Sequence, residues 1–205
     1  MRRKLATDEA LRQRNTLRLR GYDYSQPGAY FVTTIAHDRA CMFGEVVDGT
    51  VRLNEIGQVV HEEWAAIPAR RVGVELDAFI VMPNHVHGIV RILSNASGEA
   101  SLAPTRAVAG VSRGSLGSIV GSFKAGVSRR VAAMRRGSPI ALWQSGYQDH
   151  IVRTDGELDR IRRYIAANPE HWATDHENPR RKAAATQASP PQGQMQQARR
   201  GARIE

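Results

Sequence analysis

The run Val81-Met82-Pro83-Asn84-His85-Val86-His87-Gly88-Ile89-Val90 constrains this chain more than any other stretch. Pro83-Asn84 is a turn signal, and the residues after it are mostly β-branched or apolar, so the segment reads as a strand starting from a turn. Successive strand side chains point to opposite faces, which sets His85 and His87 side by side on one face and Val86 on the other. Apolar neighbours on both sides make this an interior strand. Two imidazoles held together on a rigid strand form half of a divalent-metal site. Taken alone, such a pair is more often two packed, hydrogen-bonded core histidines. Only ligands from elsewhere in the chain separate the two readings.

The 205 residues are enough for one well-buried domain with some to spare. No apolar run approaches the length of about eighteen residues that a membrane span needs. The start, Met1-Arg2-Arg3-Lys4, is charged where a secretory signal would be apolar, so a cytoplasmic location is expected. Cys41 is the single cysteine, which excludes an intrachain disulfide and a cysteine-ligated zinc cluster.

The net charge of +9 is unevenly spread, with +5 on residues 1–20, +3 on residues 174–205 and +1 between them. No acidic residue lies between Glu99 and Asp149, a stretch that holds Arg106, Arg113, Lys124, Arg129, Arg130, Arg135 and Arg136. Such clustering suits a polyanionic partner, above all nucleic acid. A solvated, arginine-rich surface is the alternative.

The pattern divides the chain into a basic arm over 1–20, one folded domain over 21–173 and a disordered, polar and basic tail over 174–205. Ala29–Ala36 is dense in strand formers. Asp48-Gly49 between Glu45-Val46-Val47 and Thr50-Val51-Arg52-Leu53 signals a hairpin. Asn54 caps a helix carrying Ile56, Val59, Val60, Trp64 and Ile67 on one face, with Pro68 ending it. Strands follow over 76–82 and 85–92. A Ser- and Gly-rich loop is expected over 94–115, and an amphipathic helix from Leu116 to Met134. Lys124, Arg129, Arg130, Arg135 and Arg136 lie off its apolar stripe, which makes it a candidate phosphate-facing wall. A strand over 147–153 leads to the capping box Thr154-Asp155-Gly156-Glu157 and a last helix ending near Asn168 before Pro169.

On that last helix Tyr164 and Asn168 are four residues apart, one above the other, on a stripe bordering the Leu158, Ile161 and Ile165 face. The stripe can therefore look back toward the sheet. Asn168 offers a carbonyl oxygen as a third, neutral ligand beside His85 and His87. A tyrosine is a weak nucleophile at its ordinary pKa of about 10, but toward a phosphodiester a divalent ion compensates by making the phosphorus more electrophilic. Simple amphipathic packing is the other reading of Tyr164.

Val81-Met82-Pro83-Asn84-His85-Val86-His87, then Leu142-Trp143-Gln144, Asp149-His150 and Tyr164-Ile165-Ala166-Ala167-Asn168-Pro169, closely resemble the REP-associated tyrosine transposases. These are single-tyrosine relatives within the HUH nuclease group. Gly21-Tyr22-Asp23-Tyr24 and Gly121-Ser122-Phe123-Lys124 resemble family segments too, and the likeness spans about residues 15–173. It implies an α+β domain with a mostly antiparallel central sheet and flanking helices. It implies His85, His87 and Asn168 as ligands of Mg²⁺ or Mn²⁺, and Tyr164 as the catalytic residue. The implied activity is that of a metal-dependent single-stranded DNA endonuclease and strand transferase on hairpin DNA, through a covalent 5′-phosphotyrosine. The basic helix and the N-terminal arm are candidates for holding that DNA. His150 fits the family pattern without an evident role, and monomer and homodimer are both open. A catalytically silent protein that binds palindromic repeats is the rival. A nucleotide hydrolase with three alternating histidines is disfavoured, because position 89 is Ile89.

Overall fold

The computed structural model describes residues 19, 21–93, 114–138, 140–179 and 181. In chain order these form β1 (Gly28–Ile35), the hairpin β2 (Gly44–Val47) and β3 (Thr50–Leu53), helix α1 (Glu55–Ala65) and the single turn α2 (Ile67–Arg70). Then come β4 (Val74–Val81), β5 (His85–Ile92), helix α3 (Leu116–Met134), β6 (Gln148–Val152) and helix α4 (Asp155–Ala167). The basic arm, most of the 94–115 loop and the tail beyond residue 181 lie outside the described residues.

β4, β5, β1 and β6 form one antiparallel sheet in that order, and β2 with β3 form a separate hairpin. This is the α+β architecture with an antiparallel centre that the sequence led us to expect. The hairpin turns at Asp48 and Gly49, both at positive φ, as a two-residue turn between twisted strands requires. Asn54 caps α1 by accepting from the Gly57 amide at 2.9 Å. α1 ends before Pro68, which sits in the first turn of α2, where its missing N–H costs nothing.

Register decides which residues meet. β5 pairs with β1 so that His85 faces Ile35, Val86 faces Thr34, His87 faces Thr33 and Gly88 faces Val32. One sheet face therefore carries Tyr30, Val32, Val86 and Val90, all fully buried beneath α1 and α3. Trp64 of α1 and Phe123 of α3 meet there edge to face, with centroids 5.0 Å apart. The opposite face carries Phe31, Thr33, His85 and His87, and α4 packs on it.

Asp175–Asn178 correct the expected boundary of the tail. They fold back against the end of the sheet, leaving Glu177 and Asn178 buried. Polar residues hold them: the Glu177 amide bonds to Asp175 Oδ1 at 2.6 Å and the Asn178 side chain donates to the Trp172 carbonyl at 2.8 Å. With no apolar periodicity, nothing in this stretch signalled order.

Gly88 is where the two faces are closest in consequence. A Cβ there would lie 2.4 Å from Trp64 Cζ2 and 3.1 Å from Phe79 Cβ. Gly88→Ala is therefore expected to destabilise the fold by about 1–3 kcal/mol or more through overpacking. Urea unfolding measures this, and an unchanged midpoint would show that Trp64 has room to move.

Candidate active site

The site begins with an amide. Asn84, fully buried at the β4–β5 turn, donates from Nδ2 to the carbonyl of Arg39 and to that of Glu177, each at 2.8 Å. Two carbonyl acceptors fix which end of the amide is nitrogen, so Oδ1 is the atom facing His85 Nδ1 at 2.9 Å. His85 must then carry its proton on Nδ1. Its Nε2 keeps a bare lone pair, buried and with no hydrogen-bond partner among the described residues. His87 is arranged similarly. Its Nδ1 lies 2.8 Å from Thr33 Oγ1, across the β1–β5 register, and its Nε2 lies 3.2 Å from the Tyr164 hydroxyl. The tautomer that lets Tyr164 donate has Nδ1–H donating to Thr33. The two imidazole centroids are 4.4 Å apart.

α4 brings the other two residues. It docks on β4 where the β4–β5 register slips between Leu76 and Phe79. At that irregularity Asp77 accepts from Arg162 at 2.7 and 2.9 Å, a two-pronged pair that holds the helix by its middle. The Arg162 guanidinium keeps the Asp77 carboxyl below the usual range. Tyr164, two residues on, stands edge-on to Phe31 with centroids 6.1 Å apart. Asn168 caps α4, and its Oδ1 is a second buried atom with no partner among the described residues. Tyr164 and the three prospective ligands thus come together, as the sequence reading expects.

Burial is nearly complete for the three prospective ligands, at 0% exposure for His85, 5% for His87 and 2% for Asn168, whereas Tyr164 is 49% exposed. Burial pushes His85 down to about 4, with the Asn168 side chain opposing the shift and the charge of Arg39 assisting it. It pushes His87 to about 3, with the neighbouring His85 adding to the effect and Asp175 opposing it. Both imidazoles are neutral at pH 7, the form that binds metal. Burial also raises the Tyr164 phenol above its ordinary value, and so does the Asp175 carboxylate, while the Asn168 amide pulls it down.

These residues fit a divalent ion. Each imidazole has its inner nitrogen held by a hydrogen bond, which orients the outer one as metal-ligating histidines require. The unpartnered His85 Nε2 and Asn168 Oδ1 are buried polar atoms that a ligand would satisfy. Among the described residues no group of three or more His, Cys, Asp or Glu side chains could hold a metal. The third donor here is an amide oxygen instead, a hard ligand suited to Mg²⁺ or Mn²⁺.

The basic helix stands elsewhere. α3 lies on the sheet face opposite His85 and His87, so it does not wall the site. Lys124 is turned inward: Nζ donates to the carbonyls of Gln144 and Gly146 at 2.7 and 2.6 Å, 5.6 Å from the Trp143 ring centroid, and burial lowers it to about 8. Arg130 pairs with Glu62 at 2.5 Å and with the buried Glu63 at 3.3 Å. Arg129, Arg135 and Arg136 are exposed. His150 bonds through Nε2 to Glu157 at 2.6 Å, and Glu157 also accepts from the Arg153 amide at 2.8 Å, tying β6 to the first turn of α4. Thr33, Asp77, Asn84 and Arg162 went unassigned in the sequence. Only Asn84, inside the histidine run, carried a signal.

No family model matches the chain. An uncharacterized protein of Haemophilus influenzae is 35% identical over 170 residues, which cover 80% of this chain and 93% of that protein. Among solved structures, a REP-associated tyrosine transposase bound to a REP hairpin superposes with a TM-score of 0.52 at 16% identity, covering 75% of this chain and 72% of that one. No helix among the described residues is long and apolar enough to cross a membrane.

The neutral histidines make stability depend on pH in a stated direction. Their folded values lie below the unfolded value of about 6.5, so the unfolded chain takes up protons first as the pH falls. In chelator-containing buffer, stability should hold above pH ~6.5 and fall by about 2–3 kcal/mol per buried imidazole toward pH ~4.5. Urea unfolding across that range measures the slope, which should flatten in His85→Gln/His87→Gln. An equal slope in both proteins would mean that the histidines are not buried neutral.

Proposed function

We propose a function from this premise: the chain belongs to one family with the Haemophilus influenzae protein and carries the fold of a REP-associated tyrosine transposase. It is a metal-dependent nickase and strand transferase for single-stranded hairpin DNA, acting through a covalent 5′-phosphotyrosine at Tyr164. One observation carries this reading. The half-exposed Tyr164 hydroxyl lies 3.2 Å from His87 Nε2, beside buried His85 and Asn168 atoms that have no hydrogen-bond partner among the described residues. A packed core histidine pair would have its nitrogens satisfied, and an amphipathic tyrosine has no reason to touch one.

His85, His87 and Asn168 would hold Mg²⁺ or Mn²⁺. Such an ion would supply Lewis acidity toward a phosphodiester, the help that a weakly nucleophilic phenol needs. His87 Nε2 has one lone pair, so its use as a ligand would free the Tyr164 hydroxyl that now lies 3.2 Å from it. Thr33 and Asn84 keep the two imidazoles in the tautomers that ligation needs, and the Arg162–Asp77 pair keeps α4 in register with the sheet. Tyr164 Oη forms a bond to phosphorus as the bond from phosphorus to the 3′-oxygen breaks. The phenol loses one proton and the leaving 3′-oxygen gains one. Attack by a 3′-hydroxyl on the phosphotyrosine runs the same exchange backwards, one phosphodiester for one phosphoester, so rejoining needs no external energy source.

The structural neighbour holds a REP hairpin, and a hairpin with single-stranded flanks is the substrate class proposed here. Arg129, Arg135 and Arg136 would contact backbone phosphates away from the scissile one, because their helix is on the far side of the sheet.

Incubation with Mn²⁺ and a labelled single-stranded hairpin from the same genome should give a protein–DNA band that survives a denaturing gel. Tyr164→Phe should remove it. His85→Ala, His87→Ala or chelator should abolish cleavage while leaving most of the salt-sensitive binding. Binding without any denaturation-resistant band, across metals and palindromes, would favour the silent DNA-binding protein.

A further inference from the structure

The register that pairs the histidines also sets a row of polar side chains beside them. β6 is the edge strand next to β1, and across that pair Phe31 faces His150 and Thr33 faces Gln148. Directly opposed residues share a sheet face, so Gln148 and His150 stand on the face of His85 and His87. The segment before β6 extends the row. Ala36 bridges to Trp143, and the Gln144 amide donates to the Ile35 carbonyl at 2.9 Å, which sets Gln144 beside Ile35 on that same face. Across the sheet, His87, Thr33 and Gln148 make one line, and His85, Ile35 and Gln144 the next. Each glutamine is two strand spacings, about 10 Å, from the histidine on its line.

α4 supplies the facing wall. Its Arg162 reaches Asp77 on β4 at one edge of the sheet, while Glu157 reaches His150 on β6 at the other. Tyr164, two helical turns beyond Glu157 on one stripe, therefore looks toward β6. Arg160, one turn before Tyr164, is exposed, and its charge acts on Glu157. The result is a trench floored by Phe31 and Thr33, with Arg160 and Tyr164 along one side and Gln144 and Gln148 along the other.

The two glutamines are positioned but uncommitted. Lys124 Nζ donates to the Gln144 carbonyl at 2.7 Å and to that of Gly146 at 2.6 Å, so the Gln144 backbone is held on both sides. Gln148 is held by the β1–β6 ladder and is exposed. Neither side-chain amide bonds to another described residue. A primary amide offers donor and acceptor together, which matches the donor and acceptor of an adenine edge. In an unpaired strand such edges are open to a protein.

Resting on the nuclease reading above, we infer that Gln144 and Gln148 are specificity-determining residues that read two unpaired bases beside the scissile phosphate, adenine preferred, while Arg160 takes a backbone phosphate of that strand. The occupant of the trench is the single-stranded flank of the hairpin, because a phosphate at Tyr164 carries its neighbouring nucleotides along this face. Gln144 and Gln148 lie opposite residues two apart on β1, about 7 Å, so they meet different bases. Arg160 adds charge without sequence information, the usual division between phosphate and base contacts.

A hairpin pool with randomised flanking bases tests this on the full chain, bound in chelator and recovered from a native gel for sequencing. The unaltered protein should enrich adenine at two flank positions. Gln148→Ala should flatten one preference and Gln144→Ala the other, each by about tenfold or more. Gln148→Glu should turn its position from adenine to cytosine, because a carboxylate only accepts and cytosine donates from N4. Arg160→Gln should weaken binding to all members of the pool alike and reduce its salt dependence. A merely structural glutamine would also weaken binding uniformly when replaced, and that result overturns the base-reading role. A pool enriched at no flank position overturns it too, as do preferences unchanged in both alanine variants. The nuclease reading fails separately: with Mn²⁺ in place of chelator, absence of a denaturation-resistant band ends it even where the glutamines select bases.

Discussion

The chemistry of the site depends on the hydrogen bonds of Asn84. Its amide nitrogen is committed to two backbone carbonyls, so its oxygen can only accept from His85, and His85 can only present a bare Nε2. A flipped amide would face His85 with a donor and favour the opposite tautomer, leaving no lone pair for a metal. Because one carbonyl belongs to Arg39 and the other to Glu177, this amide also joins two distant chain segments to the histidine pair. Chain segments far apart in sequence are thereby made consistent at a single side chain.

The antiparallel register does the rest. Alternation along β5 sends Val86, Gly88 and Val90 toward Trp64 and Phe123, and His85 and His87 toward α4. The apolar face carries the burial that stabilises the domain, which frees the other face to hold polar atoms with incomplete hydrogen bonding. Strain and unsatisfied groups of this kind concentrate at functional sites, and here a well-packed layer lies directly behind them. α4 is tied to the sheet at its middle by Arg162–Asp77, and Asn168 at its end is buried. Tyr164 lies between them, with its hydroxyl 3.2 Å from His87 Nε2 and its ring edge-on to Phe31.

The sheet, its hairpins and the α4 cap were legible because they rest on local signals: the Asp48-Gly49 turn, alternation around His85 and His87, and the Thr154–Glu157 box. The meeting of Tyr164 and Asn168 with the histidines was legible from helical spacing and from the resemblance of the motifs. The direction faced by the Lys124–Arg136 helix was not. An apolar stripe says that a helix packs on a sheet but not on which face, and charge off that stripe gives no warning that Lys124 turns inward or that Arg130 is paired with Glu62 and Glu63. The order of residues 175–178 was invisible for a related reason. Asp175, His176, Glu177 and Asn178 look like solvated tail, and their order comes from partners such as Arg39 and Asn84, more than ninety residues earlier.

The account stands or falls on the identity of the atom that takes the DNA. The most direct measurement is peptide mass spectrometry after incubation with Mn²⁺ and the hairpin, followed by nuclease and protease digestion. The peptide containing Tyr164 should carry a nucleotide mass, with fragmentation placing it on that phenol and no adduct in the presence of chelator. A nucleotide found on any other residue, or on Tyr164 with chelator present throughout, would contradict it.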